Sequence, residues 1–264
     1  MIRSLYTSVS GLITQEAKQN VITNNLANVN TVGFKGDNLS VKKFDDVLIQ
    51  NYDKLINGKN VQNVIGSISQ GSRIDEVNTS FTGGMLETTD KWSDFAIDGK
   101  GFFSVLRDNN GLVNTFYSRD GHLHVNGQGF LVNNSGDKIL ASAINDNGMP
   151  ISAPSPIQVG NREIKLQGNG RFSLDGQNYK FATVDFENYS SLRKIGDNLY
   201  QGENPIQGDD IYVKQGYLEK SNVNVINEMV NMMTTMRTFE SNQKILQSID
   251  ETLGKAVNEV GTVR

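Results

Sequence analysis

Asn224-Val225-Ile226-Asn227-Glu228-Met229-Val230-Asn231-Met232-Met233-Thr234-Thr235-Met236-Arg237-Thr238-Phe239 opens the stretch that decides the fold. From there to Arg264, apolar side chains stand at Ile226, Met229, Met233, Met236, Phe239, Leu246, Ile249, Leu253, Ala256 and Val260, mostly at three-then-four spacing. The spacing predicts one long amphipathic helix carrying a coiled-coil seam. Asn224 is placed to cap it, Glu228 lies near the positive end of the helix dipole, and neither Pro nor Gly interrupts it before Gly254. A single apolar stripe gains most of its stability from what it packs against, so this helix needs a partner.

The other end of the chain offers one. Ile2, Leu5, Tyr6, Val9, Leu12, Ile13, Ala17 and Val21 follow a helical period up to about Asn28. Asn24, Asn25, Asn28 and Asn30 then crowd the helix end, and Gly33 completes a stop-and-turn, because Asn and Gly accept left-handed backbone. Pairing the two ends predicts an α+β chain. Its discontinuous terminal helical coiled-coil domain, residues 1–33 with 222–264, carries an inserted antiparallel β-rich domain.

Between the ends the signals change. Residues 34–80 read as an extended connecting region: Phe44, Val47, Leu48 and Tyr52 fit a short helix, while the Asn and Gly around Asn57 to Asn63 and Gly66 to Gly71 suggest loops or an extended hairpin. From 81 to 221, short apolar runs alternate with Asp98-Gly99, Asp120-Gly121, Asn126-Gly127, Ser135-Gly136, Asn147-Gly148 and Asp175-Gly176. Such dipeptides supply the positive φ of tight hairpins. Strands are expected at residues 102–106, 115–118, 122–125, 130–133, 138–141, 163–166, 171–174 and 179–186, with no solenoid or propeller period.

Composition narrows the function. The net charge is -4, with Lys and Arg scattered, which speaks against nucleic acid and anionic membrane partners. No apolar run approaches the roughly 20 residues of a membrane span, and the N-terminus lacks a secretory signal, so any export is expected to leave the chain uncleaved. There is no Cys, hence no disulfide framework, thiolate metal site or Cys nucleophile.

Candidate chemistry is sparse. His122 and His124 alternate on an expected strand, but two ligands make no metal site and Asp120 reads as a turn residue. Gly99-Lys100-Gly101 and Gly168-Asn169-Gly170 lack the following helix of a phosphate loop. Asp108-Asn109-Asn110-Gly111 and Asn145-Asp146-Asn147-Gly148 lack the closing Glu of a calcium loop. No catalytic residue, cofactor or metal is therefore expected. The Met-rich start of the last helix suits an adaptable contact surface, Met being a gap-filling side chain.

The ends carry more specific information. Gly11, then Val21-Ile22-Thr23-Asn24-Asn25-Leu26-Ala27-Asn28-Val29-Asn30-Thr31 and Gly33-Phe34-Lys35, closely resembles the N-terminal signature of the axial proteins of the bacterial flagellum: rod, hook and hook-associated proteins. Gly216-Tyr217-Leu218-Glu219-Lys220-Ser221-Asn222-Val223-Asn224-Val225, with Glu228 to Met232, Arg237 and Asn242-Gln243-Lys244, is similar to the family's other hallmark. Phe95-Ala96-Ile97-Asp98-Gly99-Lys100-Gly101-Phe102-Phe103 and Ser118-Arg119-Asp120-Gly121 are similar to its β-domain motifs. One departure is Lys91-Trp92-Ser93-Asp94-Phe95, where the family more often has a short Asn-x-x-Asp stretch. The chain length, Gly71-Ser72-Arg73 and Ile195-Gly196-Asp197-Asn198-Leu199-Tyr200 look most like the distal rod member, with the proximal one second.

The resemblance implies a non-enzymatic subunit of the flagellar rod in the basal body, exported without signal cleavage. Copies would polymerise into a helical tube that serves as drive shaft and export channel, with the β domain as an outer layer. Its partners would be its own copies, other rod subunits, the hook protein and the surrounding ring proteins. Leu5, Val9, Leu12, Ile13, Met229, Met233, Met236, Leu246, Ile249 and Leu253 would make the lateral contacts, while Asn25 and Asn28 fix the turn leaving the tube. Two other readings compete with it: a free-standing adhesin or binding module on an intramolecular helical stalk, and a metal enzyme built on His122 and His124.

Overall fold

The computed structural model describes residues 2–260 except 57–58, 110–111, 146–148, 161, 168–169 and 209–210. The expected turn at Asn147-Gly148 lies outside these residues, as do parts of the loops around Asn110 and Gly168. Two compact units result. One comprises residues 1–26, 37–78 and 224–264; the other comprises 27–36 and 79–223.

The first unit holds both long helices, α1 (Ile2–Ala27) and α2 (Val225–Lys255), the latter continuing into a π-helical turn at Ala256–Val260. Asn224 caps α2 as its sequence position predicts: its Oδ1 accepts the N–H groups of Ile226 at 3.0 Å and Asn227 at 3.1 Å. An Asn cap of this kind contributes about 1 kcal/mol. Four strands complete the unit: β1 (Asp37–Lys43), β2 (Val47–Ile56), β3 (Lys59–Ile68) and β4 (Ser72–Thr79). β2 and β3 form a long antiparallel hairpin with irregular register near Gln50 and Lys54, and β1 pairs with β4. The short helix expected around Phe44–Tyr52 is therefore replaced by strand. Its apolar spacing suits either state over so short a run, and cross-strand pairing decides.

The second unit is mostly antiparallel β, with a 3-10 turn at Tyr189–Ser191. Short strands β5 (Leu86–Thr88) and β6 (Phe95–Asp98) precede the long hairpin β7 (Phe102–Asn109) and β8 (Leu112–Ser118). Then come β9 (His124–Val125), β10 (Leu131–Val132), β11 (Lys138–Ile144), β12 (Ser155–Pro156), β13 (Arg171–Leu174), β14 (Gln177–Phe181) and β15 (Thr183–Asp185). β16 (Arg193–Gly196), β17 (Leu199–Gln201), β18 (Ile206–Gln207), β19 (Tyr212–Gln215) and β20 (Tyr217–Glu219) end the unit. The main sheet runs β13-β14-β11-β7-β8-β17-β16, while β19 pairs with β6 and β20 with β5.

Alternation along β7 and β8 divides the core. Phe103, Val105 and Phe116 enter one buried cluster with Phe95, Leu131, Ile139, Phe172 and Phe181, whereas Phe102 and Tyr117 enter a second with Val184, Phe186 and Tyr200. Neighbouring residues of a strand face opposite sides, so one sheet supplies both. The expected turn at Asp175-Gly176 takes positive φ at both positions and closes the β13-β14 hairpin; Asp197-Asn198, which is not among the expected turns, does the same between β16 and β17.

Three expected strands are revised. Residues 179–186 are split at Ala182, where pairing passes from β11 to β7. Only His124 and Val125 of the 122–125 stretch are strand, His122 making an isolated bridge to Asp94. Residues 163–166 are not a strand: Leu166 N–H goes to the Gln215 Oε1 at 2.9 Å, a side chain standing where a ladder partner would be.

Candidate assembly surfaces

The two faces of α2 behave differently. Val225, Glu228, Met232, Thr235, Phe239, Asn242, Leu246, Ile249 and Leu253 recur at strict three-four spacing and are half-buried or buried. Thr235 is the most enclosed, at 2 % exposure, and its hydroxyl has no hydrogen-bond partner. The face turns toward α1 at Gly11, where an added Cβ would lie 3.0 Å from the Asn242 Nδ2.

About 100° round the helix runs a second stripe. Ile226, Met229, Val230, Met233 and Met236 remain 41–73 % exposed. The single seam expected from sequence thus belongs to two faces. Met236 to Phe239 is a step of three where the heptad alternation calls for four, and there the pattern crosses from the outer stripe to the inner one. On α1, Leu5, Val9 and Leu12 are half-buried, while Tyr6 (65 %) and Ile13 (54 %) are exposed.

Asn25 is buried and bonds the backbone of Asp37 twice, donating from Nδ2 to its carbonyl and accepting its N–H at Oδ1, both at 2.9 Å. That pair pins the start of β1 against α1. Asn28 accepts from the Thr31 hydroxyl at 3.2 Å and from the Thr31 N–H at its carbonyl, also at 3.2 Å. Ser10 plays a matching part for β4. Its Oγ accepts the Ser72 N–H at 3.4 Å, and the Gly71 Cα approaches so closely that an added Cβ would sit 2.3 Å from the Ser10 Oγ.

Within the second unit, the segment 33–36 is held by a charged cluster that the sequence does not advertise. Lys35, fully buried, places its Nζ 2.6 Å from the Glu219 Oε1 and 2.8 Å from the Thr82 carbonyl. The other oxygen of Glu219 meets the Arg119 Nη1 at 3.1 Å, and the Gly84 N–H bonds Oε1 at 2.7 Å. Arg119 reaches the Gly99 carbonyl at 2.8 Å and lies over the Phe102 ring, while its Nε has no partner. Burial lowers the Lys35 pKa, Glu219 opposes the change, and Arg119 adds to it. Asn222 ties the same place together, accepting from the Gly36 N–H and donating to the carbonyls of Ser80 and Thr82.

His122 and His124 have different surroundings. His122 Nδ1 lies 3.0 Å from the buried Asp94 Oδ1, its backbone N–H bonds Asp120, and His124 is exposed. Among the described residues no group of three His, Cys, Asp or Glu could hold a metal, and no helix is long and apolar enough to cross a membrane. Lys91-Trp92-Ser93-Asp94 forms a turn closed by the Asp94 N–H on the Lys91 carbonyl, with Trp92 half-buried against the larger core.

Long terminal helices with an exposed apolar stripe, in a chain that also folds a β unit, present a surface suited to assembly. The comparisons agree: residues 5–35 match the family described as flagella basal body rod protein, 96–174 the flagellar hook protein FlgE/F/G D1 domain, and 214–259 the flagellar basal body rod FlgEFG protein C-terminal. The chain belongs to the flagellar basal-body rod protein family and is a structural subunit of the basal body. It is FlgG-like. The flagellar basal-body rod protein FlgG of Buchnera aphidicola subsp. Schizaphis graminum is 35 % identical over 273 residues, covering 97 % of this chain and 98 % of the relative. FlgG of Bacillus subtilis is 32 % identical over 98 % of this chain and 99 % of its own. FlgF of Caulobacter vibrioides is 30 % identical over the full length of both.

Proposed function

We propose that this rod subunit polymerises through its terminal helices into a helical tube that acts as drive shaft and export channel and passes torque to the hook. The observation that carries the reading is the outer stripe of α2: Ile226, Met229, Val230, Met233 and Met236 are exposed on a helix whose adjoining face is half-buried within the subunit. An apolar row of this kind is costly in a monomer and is best explained by a second copy. Within each subunit the inner face of α2 approaches α1 at Gly11 and Asn242. The outer stripe, with Tyr6 and Ile13, then contacts neighbours, and Met allows slightly different fits around the tube.

Its partners are its own copies, other rod subunits and the hook protein, with ring proteins outside the tube; its work is mechanical, not catalytic. A free-standing adhesin would need no exposed stripe on its stalk, which disfavours that alternative. The test is sedimentation and electron microscopy of the wild type beside Met233→Glu. The wild type assembles on concentration and the variant stays monomeric with an unchanged Trp92 emission. Filaments of normal length from the variant would remove the stripe as an assembly contact.

A further inference from the structure

Trp92, the only Trp of the chain, lies beside an open groove of about 640 Å³. The groove is lined by Trp92, Val125, Asn126, Gly127, Gln128, Gly129, Gly160, Arg162 and Glu163. The groove is mostly polar, and its apolar part comes from Trp92 and Val125, which rest on the larger core and are half open. Its rim is polar, with Gln128, Arg162 and Glu163 exposed.

The frame is firm. The Val159 and Gly160 N–H groups both donate to the Gly129 carbonyl, at 2.8 and 3.0 Å, and Gly129 and Gly160 both take positive φ. An added Cβ at Gly129 would lie 3.1 Å from the Gly160 Cα, tighter than ordinary contact, whereas one at Gly160 would meet nothing within 4 Å. Asn126 Oδ1 accepts the N–H groups of Gln128 and Phe130 and fixes the loop that carries Gln128.

We propose that this groove binds an oligosaccharide. Its volume falls within the roughly 300–1,000 Å³ of small-molecule sites. A pyranose ring has an apolar C–H face and a polar edge, and so needs one flat aromatic surface with amide and charged groups around it. Trp92 supplies the surface, since an indole offers a broad apolar face. Gln128 and Glu163 supply hydroxyl partners, and Arg162, paired to Asp175, is held at the rim. A purely apolar ligand would leave those rim groups without partners, and a strongly anionic one would meet Glu163.

Because Trp92 is the sole Trp, its emission reads the groove directly in the full chain. The probes are chitotetraose and maltotetraose, which separate an N-acetylated amino sugar from a plain glucan. A saturable change in Trp92 emission with either supports the site and names the sugar class. Gln128→Ala, with Trp92 retained, weakens that binding by about tenfold, about 1.4 kcal/mol. Trp92→Phe abolishes the saturation-transfer NMR signal of the sugar while the far-UV circular dichroism stays unchanged. No emission change with either probe overturns the proposal, as does a Gln128→Ala variant that binds like the wild type.

Discussion

Lys35 and Glu219 stand 184 residues apart in the chain and form an ion pair of 2.6 Å with side chains 0 % and 3 % exposed. Glu219 also carries Arg119, so one carboxylate serves two buried cations. The asymmetry makes the three positions unequal. Glu219→Gln leaves both cations without an anion and is expected to cost about 3–5 kcal/mol, the range for breaking a buried pair. Lys35→Met leaves a neutral Arg119–Glu219 pair with a stem of similar length, and should cost roughly 1–2 kcal/mol. Urea unfolding followed by Trp92 emission compares them; equal losses would refute the shared-carboxylate picture.

Glycine substitutions separate two environments. Gly33 has φ +68°, and an added Cβ would lie 2.5 Å from the Arg119 carbonyl, so Gly33→Ala must displace backbone. A loss of about 2 kcal/mol or more is expected from strain and overpacking together. Gly254, inside α2 with nothing near its would-be Cβ, predicts the opposite: Gly254→Ala stabilises the helix by about 1 kcal/mol. Thermal melts at 222 nm give both signs.

Thr235 gives a third outcome. Its buried hydroxyl lacks a partner, so Thr235→Val exchanges an unsatisfied polar atom for a methyl of the same shape and should stabilise by about 1 kcal/mol. Met233→Glu, exposed and one stripe away, should shift monomer stability by under roughly 0.5 kcal/mol while preventing assembly. Calorimetry on dilute protein tests the pair, and a destabilised Met233→Glu monomer would place Met233 inside the subunit.

Asp120 predicts a pH effect. Burial, above all, raises its pKa from the usual 3.8, and nearby Asp94 pushes the same way against the His122 N–H and charge. The folded state therefore holds this proton more tightly than the unfolded one. Its stabilising contribution is complete below pH 3.8 and fades as the pH rises through the elevated folded value. Asp120→Asn keeps the acceptor for the His122 N–H and removes the titration, so its urea midpoints should fall less across that window than those of the wild type.

Much of this structure is legible in the chain. The cap at Asn224, the turn at Asp175-Gly176 and the β character after Leu86 follow from local chemistry, where a residue type and its neighbours suffice. The family signature around Val21–Asn30 likewise marks Asn25, whose paired bonds to Asp37 explain why an amide is needed there. Less legible is whatever depends on distant partners. Lys35 looks like any surface lysine until Glu219 and Arg119 arrive from elsewhere in the sequence. The hairpin of β2 and β3 shows in sequence only as one of two options, loops or an extended hairpin, because each strand is specified by the other. The two stripes of α2 merge in sequence because a one-residue offset separates them, and only the covered face tells them apart.

The segments around Phe34 and Asn222 also have a mechanical meaning. Gly33 N–H bonds the Glu219 carbonyl, Asn222 N–H the Phe34 carbonyl, and Gly36 N–H the Asn222 side chain, so the two segments run side by side in the same direction. α1 enters before the first segment and α2 leaves after the second. A force drawing residue 33 and residue 222 apart along these segments therefore loads the bonds together in shear. Unzipping them singly would need the opposite polarity.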